Sequence, residues 1–132
     1  MKRITASIIS LLLLFSVSGA AQQLDSAKRN ALEAKLAEYF EALKYEGLEV
    51  QKEEADFLIE STSDSLTRQF VACTVYDHFA DSPVMGSEAV AIHVYDRWFA
   101  PGKVKMNSDI ELLNARIFAD FNRQSLIGGK AP

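Results

Sequence analysis

Apolar residues in this chain return every three or four positions, and no stretch before Ser125 alternates with the period of two that a half-buried strand requires. That periodicity limits the chain to helices packed on helices. Between Leu24 and Tyr45, Leu32, Leu36, Phe40 and Leu43 recur at spacings of four, four and three, which places them on one helical face. Lys28, Arg29, Lys35 and Glu38 occupy much of the rest. Ala27, Ala31, Ala34, Ala37 and Ala42 add helix propensity. Gly47 is read as the stop just past the last turn.

A second helix is predicted over Leu48 to Glu60, its apolar content being Leu48, Val50, Ala55, Phe57, Leu58 and Ile59. The acidic residues Glu49, Glu53, Glu54, Asp56 and Glu60 read as a solvated face, because a calcium loop needs regular oxygen ligands around a central glycine. Ser61-Thr62-Ser63-Asp64 breaks the pattern, with Asp64 as N-cap of a third helix from Ser65 to about Phe79. Leu66, Phe70 and Cys73 share one side of it, and Val71, Val75 and Phe79 take nearly the opposite side. A helix apolar on two sides is buried between neighbours, so this one is expected to be central.

Asp81-Ser82-Pro83 marks the next connection. Proline suits a first helical turn, and Gly86 permits a tight passage. A fourth helix, Glu88 to Phe99, carries Ala89, Val90, Ile92, Val94, Tyr95, Trp98 and Phe99, and Ala100-Pro101-Gly102 ends it. The apolar faces of the third and fourth segments fit an interior or a docking surface. Ser108-Asp109-Ile110-Glu111 has the capping-box form and opens a fifth helix, on which Ile110, Leu113, Ile117 and Phe121 form one stripe. The fold class is therefore all-α: about five helices as a small antiparallel bundle or as stacked helical hairpins. Val75-Tyr76-Asp77 is echoed by Val94-Tyr95-Asp96, each soon followed by Phe-Ala, the kind of trace a duplicated helix leaves.

The N-terminus reads as a targeting segment. Lys2 and Arg3 are basic, Ala6 to Val17 is apolar or small, and Ser18-Gly19-Ala20-Ala21 supplies small residues for cleavage. Residues 1–21 are thus expected to be a signal peptide, directing the chain to the periplasm of a two-membrane bacterium. About 111 residues remain after cleavage, the size of one small domain with one core. The apolar run is about 12 residues, shorter than the roughly 20 needed to span a bilayer. Of 14 basic and 18 acidic residues, loss of Lys2 and Arg3 leaves 12 against 18, a net charge of −6. Such a surface repels phosphate backbones and anionic lipid, so nucleic acid is excluded as a partner.

Few residues offer chemistry. Cys73 is the single cysteine, which rules out an intramolecular disulfide, a dithiol and a four-cysteine zinc site. Placed between Phe70 and Tyr76, it reads as a small hydrophobe rather than a nucleophile. His78 and His93 are the two histidines. His93 and Asp96 have ligand spacing, and with His78 and nearby carboxylates they define a weak metal-enzyme alternative. Tyr95, Trp98 and Phe99 read as core. The most individual stretch is 77–88, where His78, Ser82, Pro83, Met85, Gly86 and Glu88, together with His93, outline a candidate functional turn. Its simpler reading is a demanding interhelical turn. No catalytic, cofactor-binding or metal residue is assigned.

The run Val75 to His93, with its Ser82-Pro83-Val84-Met85-Gly86-Ser87-Glu88 centre, resembles a helical domain of unknown function in exported bacterial proteins, where it precedes a thioredoxin-like domain of the TlpA/ResA thiol–disulfide oxidoreductase type. The resemblance covers about Leu24 to Gln124. Gly128-Gly129-Lys130-Ala131-Pro132 is similar to the Gly-x-x-Ala-Pro lead-in of thioredoxin-like domains. The resemblance implies a signal peptide at 1–21, a helical domain at 22–126 and the start of a thioredoxin-like domain at 127–132. It implies a non-enzymatic accessory or interaction module, truncated before its redox domain, whose partner is that domain in cis or a periplasmic protein. The family's redox cysteines have no positions here to be carried onto. The alternative is a free-standing periplasmic helical protein that binds a partner or a small ligand.

Overall fold

A computed structural model of the chain describes residues 26–127. The expected signal peptide and the Gly128–Pro132 segment lie outside those residues. The fold is all-α. Five helices follow one another: α1 (Ser26–Leu43), α2 (Leu48–Glu60), α3 (Ser65–Ala80), α4 (Ser87–Val94), which runs on into a π-helical turn (Tyr95–Phe99), and α5 (Asp109–Ile127). Among the described residues no helix is long and apolar enough to cross a membrane. The chain packs as two compact units, 1–71 and 72–132. Their boundary falls inside α3, not in the exposed Pro- or Gly-rich linker that separates independent domains.

In the first unit the α1 stripe is core, as its spacing predicts: Leu32, Leu36, Phe40 and Leu43 are all buried, together with Tyr39. Each fully buried leucine contributes roughly 1.5–3 kcal/mol of burial free energy. On α2 the buried residues are Ala55, Leu58 and Ile59, while Phe57 and Leu48 are exposed. Glu54, read from sequence as part of a solvated face, is buried as well. It is retained there by a hydrogen bond that the Tyr39 hydroxyl donates to its Oε1 at 2.5 Å. A carboxylate removed from water needs such a partner. Burial, and then the hydrogen bond and charge of Glu54, push the Tyr39 hydroxyl far above the usual tyrosine range.

The helix ends of this unit are closed by side chains from the next element. Gln51 Nε2 donates to the carbonyls of Leu43 and Glu46, at 3.1 and 2.9 Å. The first oxygen belongs to the last residue of α1, the second to the connection that follows it. Gly47 therefore does not stop α1 by a left-handed turn. Its φ is −71°, an ordinary extended value, and it serves as N-cap of α2. At the end of α2, the Arg68 guanidinium donates to the Thr62 carbonyl at 2.7 Å and to the Thr62 hydroxyl at 3.0 Å. That hydroxyl in turn donates to the Ile59 carbonyl at 2.8 Å. A cation at a helix C-terminus also favours the macrodipole. Asp64 holds the N-cap position of α3, where its carbonyl accepts the Arg68 N–H at 3.0 Å.

In the second unit Val75 and Phe79 of α3, and Val90, Ala91, Ile92 and Val94 of α4, are buried. These faces of α3 and α4 are interior, whereas Leu66 and Phe70 on the other side of α3 are half-buried. Pro83 lies in the connection before α4 and not in its first turn, and Gly86 takes the left-handed conformation at φ 96°. The fourth helix differs from its prediction in one respect: its last five residues form a π turn. The echo noted above gives the reason. Val75 precedes Phe79 by four residues, whereas Val94 precedes Phe99 by five. The valine, tyrosine and phenylalanine of both runs are nevertheless buried. The wider π turn, closed by the Ala100 N–H on the Tyr95 carbonyl at 2.8 Å, absorbs the extra residue and keeps Phe99 inside.

The largest departure from the sequence reading is in α5. The serine half of the capping box forms at Ser108, whose Oγ accepts the Glu111 N–H at 3.2 Å. The apolar stripe, however, faces outward: Ile110, Leu113, Ile117 and Phe121 are 65, 47, 56 and 78 % exposed. Ala115 and Ala119 on the opposite side are 2 and 0 % exposed. Along this side α5 packs on α4 and the π turn. Large side chains ordinarily mark the face a helix buries. Here the small ones do, because alanine lets two helix backbones approach closely.

The Tyr39–Glu54 pair generates a test. Tyr39→Phe keeps the ring but leaves Glu54 buried without its donor, and is expected to cost about 1–3 kcal/mol in urea unfolding at unchanged m. The raised Tyr39 value has a definite sign. Its contribution is complete below the ordinary tyrosine value of 10.0 and declines as pH rises above it. Wild-type stability should fall in that alkaline window more steeply than that of Tyr39→Phe.

Candidate functional site

The residues singled out by sequence lie along the end of α3, the turn that follows it and α4. His78 is exposed on α3, edge-on to the Phe79 ring at 4.8 Å, and His93 is half-buried on α4. Between them Ser82 accepts the Val84 N–H on its Oγ at 3.1 Å, and the Val84 carbonyl accepts the Ser87 N–H at 3.1 Å. Pro83 and Met85 are exposed, with Met85 92 % accessible, and Glu88 is half-buried in the first turn of α4. These contacts set the geometry of a tight reversal. Asp96 is held by a two-pronged ion pair from Arg123 at 2.8 and 3.1 Å. No group of three or more His, Cys, Asp and Glu among the described residues is placed to hold a metal ion.

A cavity of about 340 Å³ lies elsewhere in the second unit. Tyr76, Asp77 and Ala80 of α3, with Asp81 just past its end, form one wall. Glu111, Asn114, Ala115 and Phe118 of α5 form another, and Met106 closes the side. None of the seven residues proposed from the turn lines it. The helical spacing explains the wall: the Asp81 N–H donates to the Asp77 carbonyl at 2.9 Å, which carries the four-residue period one step past the end of α3. The capping box at Ser108 fixes where α5 begins, and so where Glu111 and Asn114 fall. Tyr76 supplies the floor, meeting Phe118 and Phe99 edge-to-face at 6.4 and 6.0 Å. Each such ring pair adds roughly 0.5–1.5 kcal/mol beyond its buried area. The sequence signal that would have pointed here is the Asp77/Asp81 spacing on a helix otherwise apolar.

Electrostatics make this cavity anionic. Burial raises the Asp77 carboxyl, and the like charges of Asp81 and Glu111 raise it further. Such a site favours a positively charged guest. Cys73 is buried close by, and its thiol is pushed up to about 12 by burial first and by Asp77 and Glu111 next. At neutral pH it is a thiol and a poor nucleophile, in line with its reading as a small hydrophobe.

Compared with known proteins, the chain matches no family model, no curated protein and no solved structure.

The raised Asp77 carboxyl fixes the sign of a mutational effect. Its native value lies above its unfolded value, so the site is most stabilising when protonated and loses stability as pH rises through the native value. Asp77→Asn is expected to raise the thermal midpoint at neutral pH. The gain should shrink as pH falls into the carboxylate range and should be smaller in high salt.

Proposed function

We propose that this chain is a non-catalytic helical accessory module of an exported thioredoxin-like protein, acting by presenting a surface for assembly. The observation that carries the reading is the outward apolar stripe of α5. Four large apolar side chains in a line on a well-anchored helix are costly in water, and contiguous patches of this kind mark interaction surfaces. The inaccessible thiol of Cys73 agrees with a role that does not involve dithiol exchange. The link to thioredoxin-like proteins and to the periplasm rests on the Val75–His93 run and on the N-terminal leader pattern. Purified chain should give no insulin reduction above the dithiothreitol blank, and the exported chain should begin at Ala21 or Gln22 on N-terminal sequencing. Catalytic turnover would overturn the module reading, and an unprocessed N-terminus the export.

A second reading, a free-standing helical protein that binds a small ligand, is favoured by the anionic cavity of Asp77, Asp81 and Glu111 over an aromatic floor. A cationic amine suits that combination. Under it, putrescine should raise the thermal midpoint saturably, and Asp77→Asn should weaken the effect. A shift that is unsaturable, or equal in both proteins, would remove this reading.

A further inference from the structure

The outer face of α5 is a line about three turns long, close to 17 Å. Its four large side chains present on the order of 500 Å² of apolar surface, near the upper limit for a monomer. We propose that the occupant of this face is α5 of a second copy of the chain, laid antiparallel across a two-fold axis; this rests on the reading of the chain as an assembly module and names its partner.

Two observations converge on a second copy. The first is the spacing. The stripe Ile110, Leu113, Ile117, Phe121 is nearly symmetric about residues 115–116. A reversed copy sets Phe121 against Ile110 and Ile117 against Leu113, so the same patch fits itself, as an isologous contact requires. The second is area. Two such faces joined remove on the order of 1,000 Å² from water before any rim is counted, the level at which specific interfaces begin. Ala115 and Ala119 hold α5 by its opposite side, so the helix cannot roll to hide the stripe.

Sedimentation equilibrium over a dilution series tests this on the whole exported chain. The expected result is a mass twice that of the chain, falling to one on dilution. Ile117→Asp and Phe121→Arg should each weaken association by roughly tenfold or more. Both positions are exposed, so far-UV circular dichroism and the thermal midpoint of the monomer should be unchanged. Maleimide labelling of Ile117→Cys should be slow in the dimer and fast after dilution, with native Cys73 kept unlabelled by its burial. A monomer at every concentration overturns the proposal: fast labelling would then mean an open face, slow labelling a face covered by another segment of the same chain. A dimer that survives Ile117→Asp also overturns it, since the contact would lie elsewhere. Insulin reduction is read separately: a monomer without turnover removes the dimer and keeps the module, and a dimer with turnover does the reverse.

Discussion

Close packing of α5 through Ala115 and Ala119 organises the second unit. Because these two methyl-sized side chains are the ones buried, α5 lies close to α4 and the π turn. That approach has three consequences. It turns Ile110, Leu113, Ile117 and Phe121 outward. It carries Glu111 and Asn114 to the wall that Asp77 and Asp81 complete. It also brings Arg123 within reach of Asp96. A larger residue at 115 or 119 would force α5 away from its neighbours or strain them, with overpacking costs of about 1–3 kcal/mol. The outward stripe and the cavity wall thus arise from one packing choice.

The first unit is governed by a different constraint, the need to satisfy polar groups taken out of water. Gln51 closes the end of α1, Arg68 closes the end of α2, and Tyr39 satisfies Glu54. Each bond joins one helix to the next element in sequence. The polar residues here therefore set where helices end and how they are joined, while the leucines supply most of the burial free energy. The surface charges that a sequence reading treats as one class divide in the fold: Glu54 is structural, and Glu49 is a solvated partner of Lys52.

Much of the secondary structure was legible in the sequence because it depends on local rules. Alternation is absent, the 3.6 period is strong in α1, and Leu48 to Glu60 coincides with α2. The capping serine at 108 was legible for the same reason, since its bond reaches only three residues on. The cavity was not legible. The turn residues His78, Ser82, Pro83, Met85, Gly86, Glu88 and His93 stand out in the sequence for being unusual, and none of them lines it. The cavity residues are ordinary and come from helices about thirty positions apart. The π turn shows a middle case: the extra residue is visible when the two Val-Tyr-Asp runs are aligned, but its effect on hydrogen bonding is not.

The sequence by itself determined the fold class, the helices and the breaks between them, and the acidity of the chain, because propensity, period and charge are properties of neighbouring residues. The tertiary structure alone decided which side of α5 is buried. Hydrophobicity ranks the stripe of Ile110, Leu113, Ile117 and Phe121 above Ala115 and Ala119, but shape reverses the order: alanines permit a close helix contact that bulkier residues prevent. Whether a helical face becomes core or surface depends on the partner that meets it, and the partner's position is not written in the helix.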